Sequence, residues 1–397
     1  MAPGDPFGAL QGLRAIELGQ LIAGPFCGQL MADHGVEVIK VEQPDVGDPM
    51  REWGRNKPVW WSVIARNKKS VTLNLRTKDG QDILRELVAK ADFLIENFRA
   101  GTLEKWGLGY EELSKINPGL IMIRVSGYGQ TGPYSPRAGY GSIGEAMGGM
   151  RNLAGDPSTP PSRVGLSIGD SLAATMACLG AMMALHRRHL TGHGQVIDSA
   201  IYEAVLAMME STIPEYTEAN FIRERTGAVL PNVSPSNVYP TSDGDILIAA
   251  NQDSVFGRLC EAMDKPELAT DPRYATHTAR GKHQQELDDL IGEWTKDFPA
   301  RELADLMEAN GVPAGKIYKA PDMMEDEHFK AREALVHLPH PDFANIWMQN
   351  AFPRLSETPG KVAWVGEPLG AHNDEVYGGL LGKSEDEIAV LKEQGTI

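Results

Sequence analysis

The chain has few cysteines, no excess of basic residues and no unbroken apolar segment of membrane-spanning length. Its 397 residues include three cysteines, which are too scattered to indicate a disulfide framework or a zinc cluster. No apolar run approaches the roughly 20 residues needed to cross a bilayer. The first residues lack the basic and apolar regions of a secretory signal. We therefore expect a cytoplasmic protein without a metal site.

Acidic residues outnumber basic ones by 54 to 38, which gives a formal net charge of −16. This excess opposes binding to nucleic acid or to anionic membranes. A phosphate-bearing ligand would therefore need a local group of cations. From charge alone, a run of cations is more typical of a solvated basic face than of a site. One such run is present, at Arg51, Arg55, Lys57, Arg66, Lys68, Lys69, Arg76 and Lys78, with Arg99 and Lys105 soon after.

Short β-rich segments alternate with helical ones over the first 210 residues. This alternation is typical of a parallel sheet that binds ligands at the carboxyl ends of its strands. Prolines and glycines then indicate a linker, and a second unit begins with the strand Asp245–Ala249. The chain after about Leu335 looks irregular, up to a closing helix capped by Ser384 and Glu387.

We predict an α/β protein with a Rossmann-like parallel-sheet large domain and a smaller α/β domain. The large domain combines residues 1–210 with 330–397, and the smaller domain spans 230–325. The linkers lie at 211–229 and 326–335. The strands expected in the large domain are Arg14–Leu18, Val36–Val41, Val71–Leu75, Phe93–Ile95, Leu120–Val125 and Gln195–Ile197.

Asp170 follows a glycine at the start of a helix rich in Ala, Met and Leu, which we expect over Ser171–His189. Aspartate is favoured as a helix N-cap, and the local pattern alone favours that role. A carboxylate nucleophile would use the same location, because helix-terminal amides stabilise its charge. Attack of that carboxylate on a thioester would give a mixed anhydride and a free thiolate.

A glycine-rich segment, Gly127-Tyr-Gly-Gln-Thr-Gly-Pro-Tyr134, directly follows an apolar strand. Glycines at a strand's carboxyl end let backbone amides approach an anion or a developing oxyanion. The spacing G-x-G-x-x-G is only a weak dinucleotide signal here, because Pro133 follows it and no helix is expected to open there. By itself the segment is equally consistent with a surface turn.

The order of several segments resembles that of the family III CoA-transferases, the formyl-CoA, carnitine and succinyl-CoA transferase group. The segments are Ala23-Gly-Pro, Val38-Ile-Lys-Val-Glu42, Glu96-Asn-Phe-Arg-Ala-Gly101, Gly107-Leu-Gly109, the helix that begins near Asp170 and the closing Leu381-Gly. Each fragment is common, but together and in this order they make a specific match over nearly the whole chain.

The resemblance implies that Asp170 becomes covalently acylated and then carries CoA as an aspartyl thioester. It also implies a CoA-binding set, carried over residue by residue from the family's motifs. That set is Ile22, Ala23, Leu73, Asn74, Leu75, Arg76, Asn97, Phe98, Arg99, Lys105, Ser126, Gly127, Tyr128 and Gly129. CoA would enter as an acyl-CoA co-substrate, with no tightly bound cofactor.

The resemblance further implies an interlocked homodimer, with the site where one chain's large domain meets the other chain's small domain. The sequence is most similar to the succinyl-CoA-dependent dicarboxylate transferases, so we expect succinyl-CoA as donor and a dicarboxylic acid as acceptor. Candidates for contacting the acceptor are Arg223, Arg225, Asn251 and Gln252.

Two departures from the family pattern bear on function. The formyl-CoA transferases carry a glycine run where this chain has Ala249-Ala-Asn-Gln-Asp253, so we expect a different active-site lid. Many relatives have aspartate after the aromatic residue of Gly139-Tyr-Gly141, where this chain has Gly141. The related α-methylacyl-CoA racemases use a His-Asp pair for proton transfer, and Tyr140-Gly141 supplies neither role in that manner. A racemase, an acyl-CoA isomerase and a non-catalytic CoA-binding subunit remain the alternatives.

Overall fold

The computed structural model describes residues 7–397, which form two compact units. The first unit contains the described residues up to Arg151 together with Val164–Phe221 and Ala331–Ile397. The second contains Asn152–Arg163 and Ile222–Lys330. The large unit is therefore built from three separate stretches of chain.

The strands and helices below are numbered in chain order. The strands are β1 (Arg14–Glu17), β2 (Glu37–Glu42), β3 (Lys68–Thr72), β4 (Phe93–Glu96), β5 (Ile121–Ser126), β6 (Val196–Ala200), β7 (Ser236–Pro240), β8 (Asp245–Ala249), β9 (Ala314–Lys316), β10 (Leu335–His340) and β11 (Ala344–Gln349). The helices are α1 (Ala23–Asp33), α2 (Trp60–Ile64), α3 (Lys78–Val88), α4 (Thr102–Lys105), α5 (Tyr110–Ile116), α6 (Gly141–Met147), α7 (Met150–Leu153), α8 (Ile168–Thr191), α9 (Ile201–Leu206), α10 (Thr212–Ala219), α11 (Asp253–Ala262), α12 (His277–Lys282), α13 (Gln284–Thr295), α14 (Ala300–Ala309), α15 (Ala320–Glu325), α16 (Glu327–Ala331) and α17 (Glu385–Glu393). Short 3₁₀ turns span Pro49–Glu52 and Pro266–Ala269, and a π-helix spans Asp374–Leu380.

The first unit is organised around a six-stranded parallel sheet in the order β3-β2-β1-β4-β5-β6. This is the strand order of the doubly wound dinucleotide-binding folds, in which the chain changes direction across the sheet between β1 and β4. The crevice outside the carboxyl ends of these two strands is where such sheets bind ligands. The predicted parallel α/β fold is confirmed.

Apolar cores cover both faces of this sheet, because successive strand residues point to opposite sides. In β1, Ile16 packs in a cluster with Leu84 of α3, whereas its neighbour Ala15 packs in a cluster with Met31 of α1 and Ala177 of α8. The central strands β4 and β5 are accordingly apolar over most of their length, as expected for a sheet buried on both faces, whereas β1, β2 and β3 also contain buried charged residues.

Helix α8 runs for 24 residues and is buried along one side by small residues, Ala173, Ala177, Ala181 and Ala184. By length and composition it is apolar enough to cross a membrane, which corrects the expectation that no such segment exists. Only 33% of this apolar stretch is buried, through alanines that pack in the same cluster as α1 and the sheet.

The second unit contains a three-stranded antiparallel sheet, β7-β8-β9, packed with α11, α13 and α14. Tyr239 of β7 donates a hydrogen bond to Asp288 of α13 at 2.6 Å, and Asn237 donates to the same carboxylate at 3.0 Å. Both oxygens of the Asp288 carboxylate therefore have hydrogen-bond donors beside the apolar core of the unit.

Three details differ from the sequence-based expectations. The segment expected to be irregular after Leu335 forms an antiparallel hairpin, β10–β11. Strand β3 begins at Lys68 and ends at Thr72, earlier than predicted, because Lys68 is a buried strand residue with an acidic partner. The sequence also predicts one helix from about Ser199 to Ser211, whereas α9 ends at Leu206 and α10 follows as a separate helix.

Candidate active site

Asp170 lies in the first turn of α8, two residues after the first helical residue, Ile168. The residue that precedes the helix is Ser167, and its side chain makes no capping hydrogen bond. Asp170 is therefore not the N-cap residue that the local pattern favoured. Its half-buried carboxylate still lies at the amino-terminal end of a long helix, where a negative charge is stabilised.

Gly141 makes room for the Asp170 carboxylate. A β-carbon placed on Gly141 would lie 2.1 Å from Oδ2 of Asp170 and 2.7 Å from its Cγ. No real β-carbon comes this close to another heavy atom, so any side chain at position 141 must displace the carboxylate. The glycine at position 141, where many relatives have aspartate, is thus what leaves space for the Asp170 carboxylate in this conformation.

The glycine-rich segment after β5 packs against the segment that leads into α6. A β-carbon on Gly127 would lie 2.8 Å from Cα of Gly139, so these two backbones are in direct contact. Ser126 accepts a hydrogen bond from the amide of Gly129 at 3.0 Å, and Asp198 of β6 accepts one from the amide of Gln130 at 2.8 Å. The contact between Gly127 and Gly139 joins the predicted glycine loop to the three-residue segment that ends at Gly141, and the two hydrogen bonds hold the loop in its turn and against β6.

A second carboxylate, Glu145 of α6, approaches the helix that carries Asp170. Its Oε1 accepts a long hydrogen bond from the amide of Gly169 at 3.4 Å, and its Oε2 accepts one from Nε of Arg151 at 2.9 Å. Only 2 % of Glu145 is exposed. No local pattern selects Glu145 or Arg151, since the contacts of Glu145 with Gly169 and with Arg151 arise only in the folded chain.

The loop between β1 and α1 lies at the switch point of the sheet. Gln20 and Asn97 hold this loop to the end of β4 through two hydrogen bonds of 2.8 Å, one in each direction. Leu21 has a left-handed backbone, with φ of 62°, which is unfavourable for a residue with a branched side chain. Its amide donates to Oδ1 of Asp48 at 3.1 Å. The conformation of the loop is thus fixed by side chains that follow two other strands, Asn97 after β4 and Asp48 after β2.

A group of buried charges lies behind this loop. Lys40 donates to Asp48 at 2.8 Å and to the carbonyl oxygen of Gly19, and Lys68 donates to Glu17 at 2.7 Å and to the carbonyl oxygen of Pro25 at 2.6 Å. Burial alone would raise the pKa of Asp48, but the Lys40 ammonium holds that pKa below its usual value. Burial lowers the pKa of Lys68. Buried ion pairs are costly to desolvate, so this group is a candidate for a positioning role.

Much of the basic run is occupied by acidic partners. Arg51 binds both carboxylate oxygens of Glu42 at 2.7 Å, and Arg66 binds Asp33 at 2.6 Å. These side chains therefore form neither a solvated basic face nor a phosphate site, because their charges pair with acidic residues of the same unit. Other cations are exposed and form no ion pair among residues 7–397, namely Arg76, Arg99 and Lys105.

The predicted CoA-binding residues follow the carboxyl ends of four parallel strands. Ile22 and Ala23 follow β1, Leu73 to Arg76 follow β3, Asn97 to Arg99 follow β4, and Ser126 to Gly129 end β5. Lys105 closes the short helix α4 after β4. Because the strands are parallel, the fold brings all of these segments to one edge of the sheet. Phe98, half-buried, packs edge-on against Trp106 with ring centroids 5.9 Å apart.

The predicted substrate residues lie in the second unit. Arg225 donates to the carbonyl oxygen of Asn152 at 3.2 Å, and its Nε is shielded from solvent without a partner among the described residues. The backbone of Arg223 accepts a hydrogen bond from the Asn152 side chain at 3.2 Å. Asn251 binds Arg280 through its carbonyl oxygen at 2.7 Å, and Gln252 is exposed at the start of α11.

Among the described residues, no group of three or more histidine, cysteine or acidic side chains is arranged to hold a metal ion. The buried Cys27 lies against Cys178, and a hydrogen bond from that neighbour together with burial raises the pKa of the Cys27 thiol.

The comparisons with known proteins cover nearly the full chain. The model of the family described as CoA-transferase family III matches residues 10–373. The chain is 59% identical to the succinyl-CoA–D-citramalate CoA-transferase of Chloroflexus aurantiacus, over 98% of each chain. It is 35% identical to the succinate–glutarate CoA-transferase of Agrobacterium fabrum, over 94% of this chain and 95% of that one.

Solved structures resemble the fold closely. A crystal structure of a CAIB/BAIF family protein from Brucella suis superposes with a TM-score of 0.85 at 34% identity, over 94% of this chain and all of that one. A structure from Mycobacterium tuberculosis gives a TM-score of 0.82 at 27% identity, over 93% of this chain and 99% of the other.

Proposed function

This chain belongs to the family III CoA-transferases, and we propose that it transfers CoA from succinyl-CoA to a short dicarboxylic acid. The relatives support this choice of substrates, because their names pair succinyl-CoA or succinate with citramalate, malate, glutarate or mesaconate. Each of these acceptors has two carboxylates on a chain of four or five carbons. Citramalate is the first acceptor to test, since that relative shares 59% of its residues with this chain.

Asp170 is the proposed nucleophile. Its carboxylate attacks the thioester carbonyl of succinyl-CoA, the carbon–sulfur bond breaks, and the products are a mixed anhydride and CoA thiolate. The thiolate then attacks the aspartyl carbonyl of the anhydride. Succinate leaves, and the enzyme retains CoA as an aspartyl thioester.

The acceptor acid reverses these steps. One of its carboxylates attacks the aspartyl thioester, which releases CoA thiolate and forms a second mixed anhydride. The thiolate attacks the acceptor's carbonyl, so the new acyl-CoA leaves and the Asp170 carboxylate is regenerated. Each step exchanges one acyl bond for another, so the cycle needs no energy source, but water must be kept from the anhydrides.

The proposed CoA site is the carboxyl edge of the sheet. The backbone at Gly127 packs against Gly139, two residues before the Gly141 that contacts Asp170, and is the proposed stabiliser of the negative charge that develops on the attacked carbonyl. Arg76, Arg99 and Lys105 are exposed cations at the same edge, which suits the phosphates of CoA. They offset, locally, an overall charge of −16.

Arg225 is the proposed partner of the acceptor's second carboxylate. Its shielded Nε lacks a hydrogen-bond partner among the described residues, and a buried donor of this kind costs free energy until it is paired. A carboxylate satisfies such a guanidinium better than a methyl group does, so a diacid should bind more tightly than the corresponding monoacid.

The working assembly is proposed to be a homodimer. Large apolar side chains on the outer face of α8 are exposed, with 51% of Leu179, 62% of Met183 and 68% of Leu190 accessible to solvent. Their spacing of four and seven residues places them along one stripe of the helix. An exposed apolar stripe, here on the same helix that carries Asp170, is typical of a surface that a second subunit covers.

The observation that carries the proposed mechanism is the Asp170 carboxylate against Gly141 in the first turn of α8. The test is incubation with succinyl-CoA followed by hydroxylamine or borohydride, with mass spectrometry of the peptide that contains Asp170. Modification of Asp170 in the native enzyme, and loss of turnover with retained CoA binding in Asp170→Ala, are expected. Near-native turnover by Asp170→Ala would refute the mechanism.

A panel of acceptors tests the substrate class. Citramalate, malate and glutarate should be used in preference to butyrate and other monoacids, with product masses read directly. Arg225→Ala should abolish this preference while activity on a monoacid remains, and Arg223→Ala is the matched comparison. Equal rates for malate and butyrate, which have the same number of carbons, would refute the diacid assignment but leave CoA transfer intact.

A further inference from the structure

The helix that carries Asp170 receives a hydrogen-bond acceptor from a different helix. The first amides of any α-helix lack partners within the helix and need acceptors from elsewhere. The side chain of Ser167, at the N-cap position of α8, makes no capping bond. The amide of Gly169 instead donates to Oε1 of Glu145 on α6, at 3.4 Å.

Glu145 is buried at this position and is held by one cation. Its other oxygen, Oε2, accepts a hydrogen bond from Nε of Arg151 at 2.9 Å, while the Arg151 side chain stays 24% exposed. An unpaired buried carboxylate would cost much more free energy than a neutral side chain of the same size. Arg151 is therefore what permits a charged acceptor beside Gly169.

Helices α6 and α8 touch at two points, one turn apart on α6. Gly141 meets the carboxylate of Asp170, and Glu145, four residues later on the same face, meets Gly169. The approach at Gly169 is close, since a β-carbon there would lie 3.1 Å from Cγ of Glu145 and 3.1 Å from the carbonyl oxygen of Gly141. The location of Glu145 therefore determines where α6 sits relative to Asp170.

We infer, on the proposed nucleophilic role of Asp170, that Glu145 is a positioning residue for that nucleophile and that Arg151 keeps it in place. Glu145 caps α8 from outside, as a negatively charged acceptor at the helix amino terminus. The cap fixes the first turn of α8 against α6, and this fixes the Asp170 carboxylate above Gly141. Glu145 itself does not contact the reacting atoms.

Three variants test this role. Glu145→Ala removes the acceptor and should lower kcat on the order of 10²-fold, the effect of about 1 Å of misplacement, with KM for succinyl-CoA unchanged. Arg151→Met leaves the buried carboxylate unpaired and should lower kcat as well. The double variant Glu145→Gln/Arg151→Met keeps an oxygen for the Gly169 amide and removes both charges, so it should recover most of the native kcat.

The readout is the single-turnover rate at which succinyl-CoA modifies the Asp170 peptide, together with kcat and KM for both substrates. Asp33→Asn is the matched control, because it breaks a different buried ion pair. Asp33, the last residue of α1, binds Arg66 at 2.6 Å. That control should lower the melting temperature and leave kcat of the folded enzyme unchanged.

Native kcat in Glu145→Ala, or a double variant as slow as Arg151→Met, would overturn the role of Glu145. A rise in KM with unchanged kcat would also overturn it, since that result assigns Glu145 to substrate binding. If Glu145→Ala does not fold, the comparison of kcat between Arg151→Met and the double variant decides whether Glu145 positions Asp170.

Asp170→Ala, measured alongside, separates this inference from the proposed mechanism. If Asp170→Ala is active, the mechanism itself fails. If it is inactive while all Glu145 variants are active, only the inference about Glu145 fails.

Discussion

The replacement Gly141→Ala is the smallest change that should disable the proposed nucleophile. The added methyl carbon would lie 2.1 Å from Oδ2 of Asp170, whereas real contacts of this kind stay beyond 3.0 Å. The carboxylate, or the start of α6, must therefore move by about 1 Å, and a displacement of that size costs on the order of 10²-fold in rate. This corresponds to about 2.7 kcal/mol added to the activation barrier.

The assay is steady-state transfer from succinyl-CoA to citramalate, followed by chromatography of the two acyl-CoA species. We expect kcat to fall while the dissociation constant of CoA, measured calorimetrically, stays near its native value. Gly360→Ala is the control, because its added carbon would lie 2.7 Å from the carbonyl oxygen of Asp33 and so strains packing of the first unit at a place that involves neither α6 nor α8. The control should lose stability but retain kcat per folded enzyme.

A Gly141→Ala enzyme with native kcat and native melting temperature would refute this reasoning. It would mean that the Asp170 carboxylate adopts another conformation during turnover, in which position 141 is not in contact. A fall in kcat of the same size in Gly360→Ala would also refute it, since the effect would then come from general strain in the first unit.

Three further predictions concern the proposed CoA site at the carboxyl edge of the sheet, the proposed homodimer and the buried ion pair of Lys40 with Asp48. Arg76→Ala or Lys105→Ala should raise KM for succinyl-CoA about fivefold, equivalent to about 1 kcal/mol, and change KM for the acceptor less. Leu179→Glu combined with Met183→Glu should convert a dimer to monomers in light scattering and abolish activity. Asp48→Asn should lower the free energy of unfolding at pH 7, and the gap from the native enzyme should shrink as pH falls below about 4, because the native pKa of Asp48 lies below its unfolded value.

Each of these has a control and a contradicting result. Lys78→Ala removes an exposed cation that already pairs with Asp82, so it should leave both KM values unchanged. Leu247→Glu places a charge on an exposed apolar residue of the second unit's sheet and should not alter the mass of the assembly if α8 forms the interface. Normal CoA binding by both cation variants, a dimer that survives both glutamates, or a stability gap for Asp48→Asn that is constant with pH would contradict the corresponding prediction.

The parallel sheet was predictable because the signals for it are local. Strands buried on both faces read as short apolar runs, and the helices between them carry their own periodicity. The same reasoning failed for β3, where Lys68 and Lys69 looked like part of a solvated or phosphate-binding run. Lys68 is buried with Glu17, a partner 51 residues away in sequence, and no local pattern reveals such a pairing.

The candidate site was predictable in part. The resemblance to the family drew attention to Asp170, the glycine segment and the residues after each strand, and the parallel topology gathers these segments at one edge. The sequence did not predict a role in the site for four residues, Glu145, Arg151, Lys40 and Asp48. Of these, Lys40 lies inside a segment that carried the resemblance. A charged residue in a helix or strand is most often a surface residue, so only its burial and its partner indicate a role.

The sequence by itself determined the α/β class, the family and the positions along the chain of the six strands of the parallel sheet, because composition, hydrophobic period and motif order are properties of neighbouring residues. Only the tertiary structure decided that Gly141 must lack a side chain, that Glu145 caps the helix of Asp170 and that Asp48 holds the left-handed Leu21. Each of these depends on a close approach between segments that are 24 to 29 residues apart in sequence. Packing of α6, α8 and the sheet creates these approaches, and no residue in either segment encodes them alone.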